Sequence, residues 1–599
     1  MTELRKSNVP AKHVVYQVFT RLFGNTNTTN KPWGTIEENG VGKFNDFTDK
    51  ALQEIQKLGV SHIWYTGVPH HALVRDYSQF GISSDHPSVV KGRAGSPYAV
   101  KDYYNVNPDL AVDPANRLEE FKALIERSHR NGLKVIIDIV PNHVARRYQG
   151  MTNPQGVEDF GASDDTSVAY HRDNNFYYIP GEAFQVPEAK NGYQPLGGEA
   201  HPDLAEPYEE FPAKWTGNGS RLAQPQFDDW YETVKVNYGV SPDGIKDFDE
   251  LPQGYEHQDH EAHYQFWQER TVPSSWKKFR DIALYWLDMG VDGFRYDMAE
   301  MVPVEFWSFM NSSIKHVNPD AFLMAEVYQP HLYRDYIHLG KMDYLYDKVD
   351  LYDTLKRIMQ GKGSTDDIVG VQNELMDIEH HMLHFLDNHD EQRLASPEFA
   401  GCAEKGKPAM LVSTTLSTSP TMIYFGQEVG EPASEDAGFG LHSRTTIFDY
   451  FGVPNHQRWM NGGEFDGGQL TDKECELRDF YQRLLSFSLK NTAMTGAYQE
   501  LHRYNRQHSQ QYNEHLFCFT RFDERQKLLI VANFADIDQG AVKIKLPADL
   551  LDTWQVGDGD YQLSEQLYGN ESVTLSVVEG KGEAEIMLPP LAAKIYQLD

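Results

Sequence analysis

The 599-residue sequence has little cysteine, no long apolar run and few basic residues relative to acidic ones. Its three cysteines, Cys402, Cys475 and Cys518, are odd in number and lack metal-ligand spacing, so we expect neither a disulfide framework nor a cysteine metal site. No stretch approaches the roughly 20 apolar residues of a membrane-spanning helix. The N-terminus also lacks the apolar segment of an export signal. We therefore expect a soluble, cytoplasmic protein as the sequence stands, or a secreted one if a leader has been removed.

The charge balance excludes several classes of partner. The chain has 55 Lys and Arg against 88 Asp and Glu, which gives a net charge of −33. Such a surface repels phosphate backbones and anionic lipids, so we expect no nucleic-acid and no membrane partner. Aromatic residues make up 12% of the chain, with 33 Tyr and 10 Trp. Sugar-binding clefts and ordinary cores both use such rings, and a neutral substrate fits this composition best.

Short apolar, β-branched runs alternate with helical patterns along most of the chain. Eight such runs are candidate strands, at 13–19, 60–68, 134–140, 291–298, 321–327, 342–349, 381–388 and 420–426. Amphipathic segments such as 47–59 and 118–132 lie between several of them. Near-continuous apolar strands separated by helices are typical of a buried parallel sheet. Eight repeats predict an α/β fold with a (β/α)8 TIM barrel.

Two parts of the chain depart from this alternation. About 150 residues separate the third candidate strand from the fourth, and 144–259 is too long for a plain loop. We interpret it as an inserted domain over the barrel. After about 490 the sequence changes to short strands with turns, typical of an all-β sandwich. The predicted division is barrel 1–143, inserted domain 144–259, barrel 260–490 and β-sandwich 491–599.

Polar residues lie at the carboxyl ends of four of the predicted strands, where barrel enzymes place their active sites. They are Asp138, Asn142 and His143 at the end of the third strand, Arg295 and Asp297 at the end of the fourth, Glu326 at the end of the fifth, and Asp387, His389 and Asp390 at the end of the seventh. Each alone has an ordinary explanation as a cap, an ion pair or a structural histidine. Three carboxylates on one rim are costly unless function requires them. Two carboxyl groups of unequal pKa are what glycosidic cleavage needs.

These segments carry a family resemblance. DIVPNH, GFRYDMAE, AEVY and FLDNHD resemble, in order and spacing, the four signature regions of the α-amylase family, glycoside hydrolase family 13. SPYAVKDYYNVNPDLA at 96–111 is similar to the tyrosine-bearing region that precedes the third strand in that family. The resemblance extends over the barrel, the insertion (the family's domain B) and the C-terminal domain, which is nearly the whole chain.

The resemblance implies a role for each matched residue. Asp297 would be the nucleophile, Glu326 the general acid and then the general base, and Asp390 the residue that fixes sugar hydroxyls and stabilises the transition state. The implied substrate-binding residues are Tyr98, His143, Arg295 and His389. Tyr98 would stack against the sugar, although ordinary packing is an alternative for this ring. Arg295 would orient Asp297.

Two positions depart from the family pattern. Many members carry Lys-His two and three residues after the nucleophile, where this chain has Ala299 and Glu300. Glu300 could accept hydrogen bonds from sugars on the leaving-group side, and we include it among the substrate-binding residues. The alternative is that it caps the next helix or pairs with a nearby base.

No cofactor is required for the implied chemistry, but the family often holds a structural calcium. Asn142 is a possible calcium ligand. A second candidate is the loop at 24–34, where Asn25, Asn27 and Asn30, with Asp46 nearby, resemble a calcium loop of some members. Calcium prefers carboxylates, so an asparagine-rich turn is the alternative.

The sequence therefore predicts a retaining glycosidase that hydrolyses α-1,4-glucosidic bonds in starch-like glucans or maltodextrins. The alternative enzyme is a transglycosylase or a maltose-isomerising, trehalose-forming enzyme with the same site. A third hypothesis is an inactive family member that serves as a binding protein. The expected partner is an α-glucan, and oligomeric state, chain-length preference and endo or exo action are left open.

Overall fold

The eight predicted strands close into a parallel barrel in the computed structural model, which describes residues 12–599. They are β1 Val14–Phe19, β2 His62–Thr66, β3 Lys134–Ile139, β4 Gly293–Tyr296, β5 Phe322–Ala325, β6 Tyr344–Tyr346, β7 Met382–Phe385 and β8 Thr421–Tyr424. The strands are hydrogen-bonded in the order β1, β8, β7, β6, β5, β4, β3, β2, and the ring closes between β2 and β1. All these strand pairs are parallel, so every strand ends at the same rim.

Helices surround the barrel and connect its strands. The main ones are α1 Asp49–Lys57, α2 Arg117–Arg130, α3 Ser274–Asp288, α4 Val304–Val317, α5 Tyr333–His338, α6 Asp353–Met359, α7 Asp366–Glu374, α8 Lys407–Thr415 and α9 Asp472–Lys490. Helix α1 begins where the Thr48 hydroxyl accepts a hydrogen bond from the Ala51 amide, a common N-terminal cap. Because these helices cover the outer face, the strands are buried on both sides and read as continuous apolar runs. The (β/α)8 prediction is confirmed.

The chain between β3 and α3 contributes no strand to the barrel. It forms two short antiparallel pairs, His143–Ala145 with Thr233–Lys235 and Tyr178–Ile179 with Ala213–Lys214. A helix, His260–Gln268, precedes α3. The first pair begins four residues after β3 ends, so the insertion starts at the rim where the predicted site lies.

The C-terminal part is all-β, as expected, apart from two short helices, His502–His508 and Ala548–Trp554. Its strands are β9 Ala497–Glu500, β10 Leu516–Phe522, β11 Lys527–Asn533, β12 Ala541–Leu546, β13 Gly559–Glu565, β14 Ser572–Val578, β15 Lys581–Met587 and β16 Ala593–Leu598. They form one hydrogen-bonded sheet in the order β9, β10, β11, β16, β13, β14, β15, β12. This differs from two separate sheets of a sandwich. The single sheet still surrounds one apolar cluster, to which β10 to β16 all contribute.

The sheet is joined to the barrel by hydrogen bonds and by shared apolar packing. The buried Arg521 side chain on β10 donates to the Leu416 carbonyl just after α8, at 3.3 Å. The Thr365 hydroxyl before α7 donates to the carbonyls of Glu514 and Leu516, at 2.7 and 2.8 Å. Apolar side chains of β10, β11 and β16 belong to the same buried cluster as the barrel core, namely Phe517, Phe519, Leu528, Ile530, Ala532 and Ile595.

Three sequence expectations concern export, membrane spans and disulfides. The N-terminal segment, for which we predict no export signal, begins in residues that lie outside the described part of the chain. Over residues 12–599, no helix is both long and apolar enough to span a membrane. The three cysteines are free, and Cys518 is buried while Cys475 is exposed. No disulfide links the cysteines, as the sequence predicts.

Candidate active site

A single buried arginine organises the rim of the barrel. Arg295 lies in β4 with no exposed surface. Its Nη1 is 2.9 Å from the Asp297 Oδ1 atom, and its Nη2 is 3.1 Å from the Glu326 Oε2 atom. Its Nε donates to the Tyr346 hydroxyl at 3.1 Å. Both terminal nitrogens of one guanidinium thus hold carboxylates from two neighbouring strands, a charge-assisted arrangement that fixes their spacing.

Two further carboxylates lie within ion-pair distance of the same arginine. Asp390 Oδ2 is 3.9 Å from Arg295 Nη2, and Asp138 Oδ1 is 3.6 Å from Nη1. The Asp390 side chain keeps 38% of its surface exposed, against 9% for Asp297 and 6% for Glu326. Asp390 is therefore the carboxylate most open to the cleft, and the predicted trio converges as the sequence suggests.

Glu326 is held by a strained turn and by a tyrosine. Its Oε2 accepts a hydrogen bond from the Met298 amide at 2.9 Å, and its Oε1 accepts one from the Tyr328 hydroxyl at 2.6 Å. Met298 has a φ of 46°, in the left-handed region that non-glycine residues rarely adopt. Strain of this kind is tolerated where the surroundings fix it. Here it directs an amide of the β4 turn at the carboxylate of the next strand.

Tyr98 and His389 form one side of the site. The Tyr98 hydroxyl is 2.6 Å from His389 Nε2, and the two rings are stacked with centroids 5.3 Å apart. The Gln17 side-chain amide lies 2.8 Å from His389 Nδ1 and donates to it, which places the ring proton on Nε2. Burial, reinforced by the positive charge of Arg295, holds the pKa of His389 well below its usual value. The imidazole is thus neutral and can donate from Nε2 towards Tyr98 and Asp390.

His143 occupies the adjoining edge, at the start of the insertion. Its ring is 5.5 Å from Trp230, and its Nδ1 is 3.0 Å from the Asn142 side-chain nitrogen. Burial, and after it the charge of Lys235, lowers the pKa of His143 to about 3. A neutral imidazole here can hydrogen-bond a sugar hydroxyl without adding charge to the centre.

The crowded carboxylates hold protons more tightly than usual. Burial, followed by the negative charge of Glu326, raises the pKa of Asp297 well above its ordinary range. The same two causes raise the pKa of Asp390 to about 7, and burial raises the pKa of Asp138 to about 6. Arg295 opposes each shift.

Glu300 has partners other than the expected sugars. Its Oε2 accepts hydrogen bonds from the amides of Tyr328 and Gln329, at 2.8 and 3.1 Å. These residues begin the loop after β5, so Glu300 fixes the backbone of the tyrosine that contacts Glu326. Glu300 therefore anchors this loop, a contact that the sequence distance between the two segments concealed. Its place among the substrate-binding residues stays a prediction, since Glu300 also lines a cavity beside the β4 turn.

At the first candidate calcium position, a lysine ammonium group lies where the metal ion would bind. The Lys235 ammonium donates to the Asn142 Oδ1 atom and lies 3.3 Å from the Met301 carbonyl. The Asn142 amide nitrogen donates to the Gly217 carbonyl at 2.9 Å. A calcium ion does not fit where an ammonium already binds the one side-chain oxygen that Asn142 offers.

The asparagine-rich loop is occupied by its own hydrogen bonds. Asn25 Oδ1 accepts from the Asn27 amide, Asn27 Oδ1 from Thr29, and Asn30 Oδ1 from Gly452, at 2.7 to 3.1 Å. Asp46 Oδ2 accepts from the Lys43 amide at 2.7 Å. Across residues 12–599, no three His, Cys, Asp or Glu side chains are grouped as a metal site would require. Turn formation therefore accounts for these residues.

We expect Lys235→Met to lower both stability and activity, because it removes the cation that joins β3, the β4 turn and the insertion beside His143. Leaving Asn142 Oδ1 unpaired costs about 1–3 kcal/mol, a fall of about 1–3 °C in the unfolding temperature of a chain of this length. Incubating the wild type with EDTA should leave its activity unchanged, because no catalytic step uses a metal ion. Calorimetry and assays with and without chelator test this, with Lys190→Met, an exposed lysine of the same insertion, as the control. Loss of wild-type activity in EDTA would contradict the expectation.

Several contacting residues were not singled out from the sequence. Tyr328 is the last residue of the AEVY motif, two positions after Glu326, and its hydroxyl donates a hydrogen bond to the Glu326 carboxylate. Tyr346 on β6 supports Arg295. The Trp64 indole on β2 donates to Asp138 at 3.0 Å, and Gln17 on β1 orients His389. The last three lie inside apolar strands, where their sequence context shows nothing but burial.

Carboxylates held by an arginine at the carboxyl rim of a (β/α)8 barrel define the class of barrel glycosidases. The catalytic-domain model "Alpha amylase, catalytic domain" matches residues 17–458. The chain belongs to the α-amylase family, glycoside hydrolase family 13.

Individual relatives are distant but cover most of the chain. Alpha-amylase 3 of Dictyoglomus thermophilum is 20% identical over 517 residues, which cover 81% of this chain and 78% of that protein. A cyclomaltodextrinase of a Bacillus species is 21% identical over 545 residues, covering 87% and 72%. The crystal structure of an α-amylase from Geobacillus thermoleovorans, complexed with acarbose, has a TM-score of 0.59 at 17% identity and 98% coverage of each chain. At that identity the structural likeness shows the fold.

Proposed function

We propose that this protein is a retaining glycosidase that hydrolyses α-1,4-glucosidic bonds of starch-like glucans or maltodextrins. The observation that carries the proposal is the bridge from Arg295 to both Asp297 and Glu326, at 2.9 and 3.1 Å. It is compatible with the roughly 5–5.5 Å separation of carboxyl groups in retaining enzymes. Family membership and the names of the relatives, which include a cyclomaltodextrinase and maltogenic amylases, support the substrate class.

In the first step, Asp297 attacks the anomeric carbon while Glu326 donates its proton to the glycosidic oxygen. The bond from the anomeric carbon to that oxygen breaks, and a glycosyl ester with Asp297 forms. In the second step, Glu326 takes a proton from a water molecule whose oxygen attacks the same carbon and releases Asp297. Arg295 keeps Asp297 oriented, and the Tyr328 hydroxyl and Met298 amide hold Glu326 in place.

The open side chain of Asp390 is suited to binding sugar hydroxyls in the distorted ring of the transition state, with neutral His389 and His143 as further donors. Tyr98 would lie against the sugar face. No step uses a metal ion, so we propose that any calcium in this protein is structural. Acid, base and nucleophile are all side chains of the barrel rim.

One digestion separates hydrolysis from the alternative. Maltoheptaose is incubated with enzyme at low and at high substrate concentration, and the products are resolved by chromatography. We expect shorter maltooligosaccharides at both concentrations. Chains longer than the substrate, or trehalose from maltose, would favour transfer or isomerisation at the same site. Absence of any product would overturn the enzymatic proposal and favour a binding protein.

A further inference from the structure

The position of the general acid gives the cleft a direction. The acid protonates the leaving-group oxygen, so the leaving group lies on the side of Glu326, at the end of β5. In the closed strand order, β1 is four strands from β5 in either direction. The part of the glucan that becomes the glycosyl ester therefore extends towards the loops that follow β8, β1 and β2. The arrangement of those loops therefore sets how long the glycone part of a bound glucan can be.

These loops are bound to one another and to the insertion through Arg93. The Arg93 Nε donates to the Trp33 carbonyl at 2.9 Å, and its Nη2 forms an ion pair with Glu199. Its backbone amide lies 3.4 Å from the Asp449 Oδ1 atom. Trp33 follows β1, Asp449 follows β8 and Glu199 lies in the insertion. The side chain and backbone of one residue thus connect the segment before Tyr98 with three other segments.

The Trp33 ring fills the space where these loops meet. An added Cβ atom at Gly197 would lie 2.7 Å from the Trp33 ring, and one at Gly438 would lie 2.8 Å from it. Both glycines have positive φ, of 67° and 106°. The ring is therefore enclosed between backbone of the insertion and backbone of the β8 loop. Only residues without a side chain permit so close an approach.

Further aromatic rings extend this contact. Phe439 packs edge-on to Trp33 with centroids 5.9 Å apart, and Tyr193 lies 6.3 Å from Trp33 and 6.0 Å from Phe439. We call Trp33, Arg93, Tyr193, Glu199 and Phe439 the rim wall. Its members come from the β1, β2 and β8 loops and from the insertion, so the wall joins the loops of neighbouring strands along one side of the rim.

The wall is connected rigidly to the catalytic centre. Arg21, buried just after β1, donates to the Ala94 carbonyl at 2.8 Å and to the Ile447 carbonyl. The Ala94 amide in turn donates to the Phe448 carbonyl at 2.9 Å. Two residues further on, the Ser96 hydroxyl accepts from the Tyr98 amide at 3.2 Å. Because the bonds of Arg21 are buried, separating these loops would break hydrogen bonds two residues from the segment that carries Tyr98.

A cavity lies on the opposite side, beyond the β4 turn. It measures about 410 Å³ and lies beside Glu300 and Met301, between the insertion and helix α5. The loops that follow β8, β1 and β2 are joined by the rim wall, whereas a cavity adjoins the β4 turn on the side of the acid.

We propose that the rim wall closes the glycone side of the cleft, so that the enzyme attacks α-glucans from the non-reducing chain end and transfers a short glycone. The proposal rests on the proposed function and adds the mode of action. A glucan that extends beyond the site at both ends cannot bind, because the wall blocks its glycone part. A glucan whose non-reducing end stops at the wall can bind, with its leaving group on the side of the acid.

The test compares maltoheptaose with maltoheptaose whose non-reducing terminal glucose carries an ethylidene block, at equal concentration, by chromatography of all products. We expect the wild type to cleave the free chain at least about tenfold faster than the blocked chain. Equal cleavage of both, with interior products, would overturn the wall proposal and leave the proposed function intact. Cleavage of neither would overturn the proposed function.

Opening the wall should change this ratio. Trp33 has a φ of 60°, which glycine adopts freely, so Trp33→Gly removes the ring while keeping the backbone. We expect the rate on the blocked chain, relative to the free chain, to rise about tenfold. Phe439→Ala is the second variant if Trp33→Gly proves unstable. Phe211→Ala, at an exposed aromatic of the insertion outside the wall, is the matched control and should leave the ratio unchanged. An unchanged ratio in a folded Trp33→Gly enzyme would remove Trp33 from the proposal.

Discussion

The Asp297→Ala enzyme is expected to lose at least about 10⁴-fold in kcat on maltoheptaose, since no other group is placed to form the glycosyl ester. Its fold should persist. Arg295 keeps Glu326, Asp138 and Tyr346 as partners after the substitution. Steady-state kinetics measure the loss, and circular dichroism checks the fold.

The same substitution should raise the unfolding temperature at neutral pH, or leave it unchanged. Burial and Glu326 raise the pKa of Asp297 in the folded state, so its proton is bound more tightly there than in the unfolded chain. Above the unfolded pKa, a carboxyl of this kind lowers the free energy of unfolding as pH rises. Asp390 has a folded pKa of about 7, so its contribution to the free energy of unfolding should fall between about pH 4 and about pH 7.

Asp292→Asn is the control, because this carboxylate lies at the other end of β4, where it accepts from the Val135 amide. It should retain activity. Wild-type turnover in Asp297→Ala would refute the assignment of the nucleophile and with it the mechanism. A collapse of the fold would show that the carboxylate serves stability instead.

Glu326→Gln should reduce turnover of maltoheptaose by about 10²–10⁴-fold, the contribution of a positioned proton donor. With α-glucosyl fluoride, whose leaving group needs no proton, the ester should still form. The amide cannot then activate water, so a burst of fluoride should be followed by slow turnover. Mass spectrometry should detect the protein with one added glucosyl group.

Tyr328→Phe provides a graded comparison, because it removes the hydroxyl that donates to Glu326 Oε1 while keeping the acid. A smaller loss than in Glu326→Gln, with no accumulated ester, is expected. An equal loss of glycosylation on fluoride and on maltoheptaose in Glu326→Gln would show that Glu326 supports the site rather than transferring protons.

The barrel was predictable from sequence because buried parallel strands must be apolar throughout. The runs that contain Asp138, Arg295 and Glu326 locate β3, β4 and β5 to within a few residues. The convergence of the three carboxylates follows from the closed parallel topology alone. Residues at the carboxyl ends of neighbouring strands are necessarily neighbours in space.

Other features could not be predicted because their partners are remote in sequence. Lys235 is 93 residues from Asn142, and Glu300 binds amides 28 and 29 residues away. Neither pairing has a periodic signature. The single C-terminal sheet was also missed, since alternating short strands specify two-faced packing but not which strands exchange hydrogen bonds.

The shared apolar packing of the C-terminal sheet and the barrel bears on how the chain behaves as it unfolds. Phe519, Ile530 and Ile595 belong to the barrel's own buried cluster, and Arg521 and Thr365 hold backbone carbonyls across the junction. Melting either part would uncover the apolar surface of the other. The boundary that composition places near residue 490 therefore separates two architectures that share one buried cluster, and we expect the two to melt together.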